Sequence, residues 1–178
     1  GVAFSSVGTL SPLVPFTGSL NGDNHTISNL NVTSQGLFGY TSGASISNTT
    51  IQSGSVTGNG NQGSFIGYSV NSALSNVHSS MTIAIADPSS AAYLGGLVGG
   101  STGVTTIDGS SYSGTMAGGA YVGGLVGYMG NISTPTADVL SNSFFDGTLN
   151  QNGVFAGGAV GILYSGTVSN VYSAGTIN

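Results

Sequence analysis

The chain of 178 residues contains no lysine, no arginine and no glutamate, and all its negative side chains are aspartates: Asp23, Asp87, Asp108, Asp138 and Asp146. Charged residues make up 3% of it, against about 25% in an ordinary soluble domain, so the shortage is a property of the chain and not of sampling. Without basic side chains there is no phosphate clamp, which argues against nucleic-acid binding and against docking to anionic membrane surfaces. Below about pH 4 the aspartates protonate, leaving only the two histidines and the amino terminus charged. Trypsin has no bond to cut. Together these absences point to a harsh extracellular setting, acidic or rich in proteases. Cysteine is missing too, which removes disulfides and thiolate chemistry. No apolar run approaches the length of about 20 residues needed to span a bilayer. The first residues, Gly1-Val2-Ala3-Phe4, are neither a start methionine nor a signal peptide, and Gly175-Thr176-Ile177-Asn178 breaks off mid-repeat. The expectation is a mature or excised piece of a larger protein.

Thirty-two glycines, with abundant Ser, Thr and Asn, are compatible with disorder, but the mean hydropathy is positive at +0.28 and the apolar residues recur in register. The recurring unit is Gly36-Leu37-Phe38-Gly39-Tyr40, Ser64-Phe65-Ile66-Gly67-Tyr68, Gly96-Leu97-Val98-Gly99, Gly124-Leu125-Val126-Gly127-Tyr128 and Gly158-Ala159-Val160-Gly161. Its closing glycines are separated by 28, 32, 28 and 34 residues. The paired apolar residues predict a short strand buried on both faces, with glycine where another backbone comes close. Nine residues beyond the closing glycine stand Asn48, Asn76, Asp108 and Asn170; after Gly127 the offset is fifteen, reaching Asn142. The extra residues predict a loop insertion within 129–139, around Pro135. At these positions Asn or Asp suits a corner, where it adopts the left-handed conformation, and stacked amides can bond one another as a ladder.

A period near 30 residues means that each unit buries its apolar face only by stacking on its neighbours. No window shows helical apolar spacing, and Met81-Thr82-Ile83-Ala84-Ile85-Ala86 alternates as a strand should, with Asp87-Pro88 to end it. Further strand pairs are expected at 45–51 with 54–57 and at 168–172 with 175–177. The fold class is therefore all-β, a parallel β-solenoid of about six coils. Residues 1–22 fall outside the repeat and read as an N-terminal cap or edge segment, with Pro12 and Pro15 blocking further strand addition; residues 23–178 are the repeats. Asn21-Gly22 is expected to form a tight turn.

The Gly-Leu-Val-Gly-Tyr unit, followed by Ile-Ser-Asn and Gly-Thr-Val, resembles the GLUG motif. The segment Leu20-Asn21-Gly22-Asp23-Asn24-His25-Thr26-Ile27-Ser28-Asn29-Leu30 is similar to the lead-in found before such arrays. The resemblance covers about residues 18–178, although Gly158-Ala159-Val160-Gly161 departs from it with Ala for Leu. It implies a module of large bacterial or archaeal surface proteins, a group that includes adhesins and the non-catalytic parts of some IgA-type peptidases. It brings no catalytic residues.

Candidate chemistry is sparse. His25 and His78 lie in different repeats without a nucleophile elbow nearby, so neither is assigned a catalytic role. Asp108 with Asp138 or Asp146 is the pair a glycosidase would require, yet Asp108-Gly109 and Asp146-Gly147 are ordinary turn dipeptides. Neither a calcium-loop nor a Gly-Gly-x-Gly-x-Asp pattern is present. No catalytic residue, metal ligand or cofactor is assigned, and no enzyme activity is expected. Tyr40, Tyr68 and Tyr128 share one repeat position, with Gly100 and Ile162 in the other two repeats. They read either as a stack covering a sheet or as an interface for glycans or for other copies. Sequons stand at Asn24-His25-Thr26, Asn31-Val32-Thr33, Asn48-Thr49-Thr50 and Asn131-Ile132-Ser133. The expected function is an extracellular structural or adhesive solenoid, with self-assembly into a filament or surface layer as one form. A carbohydrate-binding module is the alternative. Partners are then other copies of the chain, the rest of a longer surface protein, or glycans.

Overall fold

The computed structural model describes residues 4–11, 13–86, 92–135, 137–150 and 154–178. Among them there is no helix. Apart from one small antiparallel hairpin, Thr9–Leu10 with Leu13–Val14, the paired strands run parallel. The chain is a β-solenoid. A full coil runs through a short sheet (Tyr93–Gly95, Tyr121–Gly123, Phe155–Gly157), a motif sheet (Phe38–Ser42, Ile66–Val70, Val98–Thr102, Val126–Met129, Val160–Leu163) and a long sheet. The long sheet is entered by two fourteen-residue strands, Ser19–Val32 and Ser45–Gly58. Later coils break the same path into shorter strands such as Thr106–Asp108, Ser111–Tyr112 and Thr115–Ala117. The Met81–Ala86 stretch forms the strand Thr82–Ile85, with Ile83 and Ile85 buried; Asp87 and Pro88 lie outside the described residues.

Because parallel in-register stacking repeats one position at every coil, the interior consists of columns. Leu20, Ile46, Leu74, Ile107, Leu140 and Val168 form one such column, and their number gives six coils. Val32, Val56, Ile83, Met116, Leu149 and Ile177 form a second. The buried members of these columns belong to a single core with the motif residues.

The motif itself is not a strand buried on two faces. The short sheet ends at Gly95 and the motif sheet begins at Val98, so the chain bends at Gly96-Leu97. At the bend the amides of both Leu97 and Val98 donate to the carbonyl of Leu125. The bend resets the two-residue alternation, and Leu97 and Val98 enter the same core rather than opposite faces. Phe65 with Ile66, and Leu125 with Val126, do likewise, each fully buried.

The motif glycines are fixed by close approach. A Cβ on Gly99 would lie 2.6 Å from the carbonyl oxygen of Gly67, and one on Gly127 would meet Gly99 O at 2.6 Å. Gly39, Gly67 and Gly161 face equivalent carbonyls at 2.6 to 2.8 Å. The leading glycines make room across the core. A Cβ on Gly96 would collide with the ring of Tyr112, and one on Gly124 with the ring of Phe145. Both rings are fully buried and stack with centroids 6.3 Å apart. The Tyr112 hydroxyl donates to the carbonyl of Met81 at 2.7 Å, which satisfies its polar end inside the core.

The parallel ladder begins before residue 23. Ser19, Leu20 and Asn21 pair with Ser45, Ile46 and Ser47, and the left-handed corner falls on Asp23 and Asn24 (φ 49° and 61°) rather than on Asn21-Gly22. Gly22 lies too close to Asn48 and Thr49 of the next coil for any side chain, which is a packing role and not a turn role. Residues 4–11 and 13–16 run along the outer edge of the first motif strand, Phe38–Ser42, and the end of Ser19–Val32. Phe4, Val7 and Phe16 form parallel bridges with Val32, Phe38 and Thr41, and Phe16 stacks on Phe38 at 4.5 Å.

Candidate functional site

The corner asparagines are Asn48, Asn76, Asn142 and Asn170, with φ between 48° and 51°. Their amides run along the solenoid. Asn48 Nδ2 donates to Asn21 Oδ1 at 3.1 Å, Asn76 Nδ2 to Asn48 Oδ1 at 2.9 Å, and Asn170 Nδ2 to Asn142 Oδ1 at 2.6 Å. Asp108 is a correction to the sequence reading. It pairs with Ser75 and Ser141, one position before the corner, and Gly109 takes the left-handed conformation instead (φ 57°). The cause is one additional residue in the turn from Thr102 to Thr106, where Gly103 sits at φ 88°. Asp108 still reaches the ladder, since its Oδ1 accepts from Asn142 Nδ2 at 2.7 Å and Ser141 Oγ at 2.6 Å. These bonds hold its carboxyl below the usual aspartate range, the Ser141 hydroxyl contributing most.

Gly109 has no side chain to bond Asn76, and His78 fills the role. Its Nε2 lies 3.0 Å from Asn76 Oδ1 and its Nδ1 2.7 Å from Ser111 Oγ. Both contacts suit the neutral ring protonated at Nε2, and partial burial lowers its pKa. His25 stays local, its Nδ1 2.9 Å from the carbonyl oxygen of Gly22.

Asp138 lies in the inserted loop and is buried, at 1% exposure. It accepts from Ser101 Oγ (3.0 Å), the Thr105 amide (2.8 Å) and the Gly130 amide (3.1 Å). Burial raises its pKa, and these three bonds pull the other way. The carboxylate thus ties the two ends of the insertion to the preceding coil. The hydrogen-bond partners of Asp108 and Asp138 are all neutral groups. Among the described residues no group of three or more His, Cys, Asp or Glu side chains gathers into a metal-like cluster.

The most distinctive surface is aromatic. Tyr40 and Tyr68 stand in register on the motif sheet, followed by Gly100, Tyr128 and Ile162. Tyr40 and Tyr68 have centroids 6.1 Å apart. At Gly100 the missing side chain lets the rings of Tyr68 and Tyr128 close in from both sides, within 3.3 Å of where a Cβ would be. A second row, not anticipated from the sequence, runs along the short sheet: Tyr93, Tyr121 and Phe155, stacked at 4.8 and 5.5 Å. Tyr128 joins the rows, 5.0 Å from Tyr93 and 5.4 Å from Tyr164. A signal was available: Tyr93-Leu94-Gly95-Gly96, Tyr121-Val122-Gly123-Gly124 and Phe155-Ala156-Gly157-Gly158 share an aromatic three residues ahead of the motif. The tyrosines of both rows are half-buried, and Phe155 and Tyr164 are exposed. Burial raises the pKa of Tyr93 and Tyr128, and neighbouring phenols add to it. Polar groups border the patch, with the Tyr68 hydroxyl 3.2 Å from Thr102 Oγ1.

This fold has a known counterpart. IgA1 protease matches over 97% of the chain and 16% of its own length, with a TM-score of 0.63 and 20% identity. At that identity the likeness concerns the fold alone. In sequence, 94 residues are 43% identical to halomucin from Haloquadratum walsbyi, covering 49% of this chain and 1% of that protein. The chain therefore matches only a small fraction of either protein's length. No protein-family model matches it.

The remaining surface is the bare last coil. Phe155, Leu163, Val168, Tyr172 and Ile177 are between 39% and 60% exposed, whereas Met129, Leu140 and Leu149, the partners of Leu163, Val168 and Ile177 one coil back, are buried. The strands Phe155–Gly157, Val160–Leu163 and Thr167–Ser169 each pair on one side only among the described residues.

Proposed function

We propose that the chain is a structural repeat module of an extracellular surface protein, a stalk segment on which further coils stack. The observation that carries this reading is the asymmetry of its ends. At one end Phe4, Val7 and Phe16 bridge Val32, Phe38 and Thr41, which covers the edge of the motif sheet, whereas at the other the motif sheet ends on an open strand edge beside exposed apolar side chains. The stretch shared with halomucin, a small part of a very long protein, supports a repeat unit within a larger assembly. A surface nearly without charge offers little electrostatic repulsion between neighbours. The module has a scaffolding role and no catalytic one.

Negative-stain microscopy with sedimentation on the purified 178 residues, at pH 3 and pH 7, tests the reading. A stalk segment gives short particles whose bare end associates weakly. Long ordered filaments would replace the stalk with a self-assembling subunit. A compact species of fixed stoichiometry with no end-dependent association would overturn both.

The aromatic patch supports a second reading, carbohydrate binding. Half-exposed tyrosine faces with adjacent hydroxyls suit the apolar faces and polar edges of sugar rings. Over five coils at about 4.8 Å the patch is about 19 Å long, enough for an extended oligosaccharide. Glycan-array binding that is lost in Tyr121→Ala or Tyr128→Ala would establish it; no binding to any glycan would remove it.

A further inference from the structure

Four sequons stand in the chain, and the fold places them in different circumstances. We infer that Asn131 is a site of N-linked glycan attachment, and that Asn24, Asn31 and Asn48 are closed to the reaction in the folded chain. The inference rests on the extracellular reading above. Its test uses purified components, so a failure there bears on the acceptor and not on where the protein resides.

Attachment requires the asparagine amide and the hydroxyl residue two positions on to enter a transferase together. The backbone around them must therefore be free to leave its own hydrogen bonds. Three sequons fail this condition. Asn48 Nδ2 is bound to Asn21 Oδ1 in the ladder, its Oδ1 accepts from Asn76, and Thr49 is buried. Asn24 lies on the same strand as Thr26, which pairs with Thr50, and its Oδ1 accepts from Asn76 at 3.3 Å. Asn31 is held on two sides: it pairs with Ser55, its carbonyl accepts from the Phe4 amide, and its Oδ1 accepts from Ser55 Oγ at 3.0 Å. Val32, at the centre of that sequon, is a core residue at 1% exposure.

Asn131 stands apart from the sheets and from the ladder. It lies in the insertion, outside every sheet, and Ile132, Ser133, Thr134 and Pro135 are all exposed, Ile132 at 73%. Its Oδ1 accepts from the Ser133 amide at 2.8 Å and the Thr134 amide at 3.1 Å, which folds the sequon into a turn around the side chain. No described residue bonds its Nδ2. The base of the loop is fixed by Asp138 and by the Asn131 amide donating to Ser165 Oγ at 3.1 Å, so the sequon is presented on a firm stem. In the transfer, Asn131 Nδ2 forms a bond to the anomeric carbon of a lipid-diphosphate-linked oligosaccharide. The bond from that carbon to the diphosphate oxygen breaks, the lipid diphosphate leaves, and one amide proton passes to a base of the transferase.

The experiment incubates the folded 178-residue chain, made in a host without glycosylation, with a lipid-diphosphate-linked oligosaccharide and a single-subunit oligosaccharyltransferase that accepts Asn-x-Ser/Thr without an upstream acid. Free peptides spanning each sequon serve as controls. Chymotrypsin replaces trypsin for mapping, cutting after Tyr128 and Phe144. The three ladder and strand sequons carry Thr, the better acceptor hydroxyl, so as peptides they match or exceed the Ser133 sequon. In the folded chain the order reverses: transfer occurs at Asn131 and is suppressed about tenfold or more at the other three, which need local unfolding first. Ser133→Ala abolishes transfer without touching the Asn131 turn, and Ser133→Thr increases it. Transfer to Asn24 or Asn31 at the rate of Asn131, or none at Asn131 when its peptide is accepted, would overturn the inference.

Discussion

At the scale of single residues, the core contains one polar side chain out of place. Gln62 is fully buried, and among the described residues neither its Oε1 nor its Nε2 has a hydrogen-bond partner. It bridges Leu94, whose column continues through Val122 and Ala156, so its neighbours in the following coils are apolar. Gln62→Leu keeps the volume and removes the unpaired amide. It is expected to raise stability by about 1–3 kcal/mol, read as a shift of the urea midpoint at unchanged slope. His78 sets a pH dependence. Burial holds its pKa below the ordinary 6.5, so the unfolded chain takes up the proton first. Its contribution is complete above pH 6.5 and is lost as pH falls from there towards the folded value. Urea titrations at pH 7.5 and 5.5 on the parent and on His78→Gln isolate it: the parent loses more stability on acidification than the variant. Asp138 runs the opposite way, since a raised carboxyl pKa favours the folded state as pH falls through it.

At the scale of the coil, the asparagine corner combines a backbone requirement with a side-chain bond, and substitutions separate the two. Asn142→Ala loses both the left-handed preference and the bonds to Asp108 and Asn170, for a cost of about 2–3 kcal/mol. Asn142→Gly keeps the backbone and loses only the bonds, about 1 kcal/mol; Gly109 is the natural example of that choice. Equal costs in thermal denaturation would remove the backbone component. Much of this level was legible in the sequence, because parallel stacking forces equivalent residues to recur at one spacing. The repeat, the loop around Pro135 and the register of Tyr40, Tyr68 and Tyr128 could be counted directly. Leu97-Val98 was misjudged because a bend and a strand place apolar pairs in the same pattern. Asp108 was misplaced because one residue more in a turn leaves the motifs on either side unchanged. The Tyr93, Tyr121 and Phe155 row is hard to read from the sequence because the first two repeats carry Thr33 and Asn61 at the same offset. The hydrogen-bonding of Asp138 is not legible in the sequence, since two of its three partners, Ser101 and Thr105, come from the preceding coil.

At the scale of the molecule, stability is a sum over coils and the contacts between them, and the two ends are unequal. Amides of Val160–Leu163 and Thr167–Ser169 are expected to exchange with solvent faster than those of Val98–Thr102 and Thr106–Asp108, whose coil is covered on both sides. Uniform protection along the stack, measured by hydrogen exchange, would mean that it opens only as a whole. The stacking has a mechanical consequence. The hydrogen bonds between coils lie along the solenoid axis, so a pull that separates the two chain ends loads one coil's bonds at a time instead of shearing many together. Detachment starts at an end coil and moves inward. A coil of 28 residues, such as Ile46 to Leu74, adds about 95 Å of chain when freed, and one of 33, such as Leu74 to Ile107, about 110 Å. Under tension the module is a reel that releases line coil by coil, in steps set by the length of each coil, while the coils still wound keep their shape.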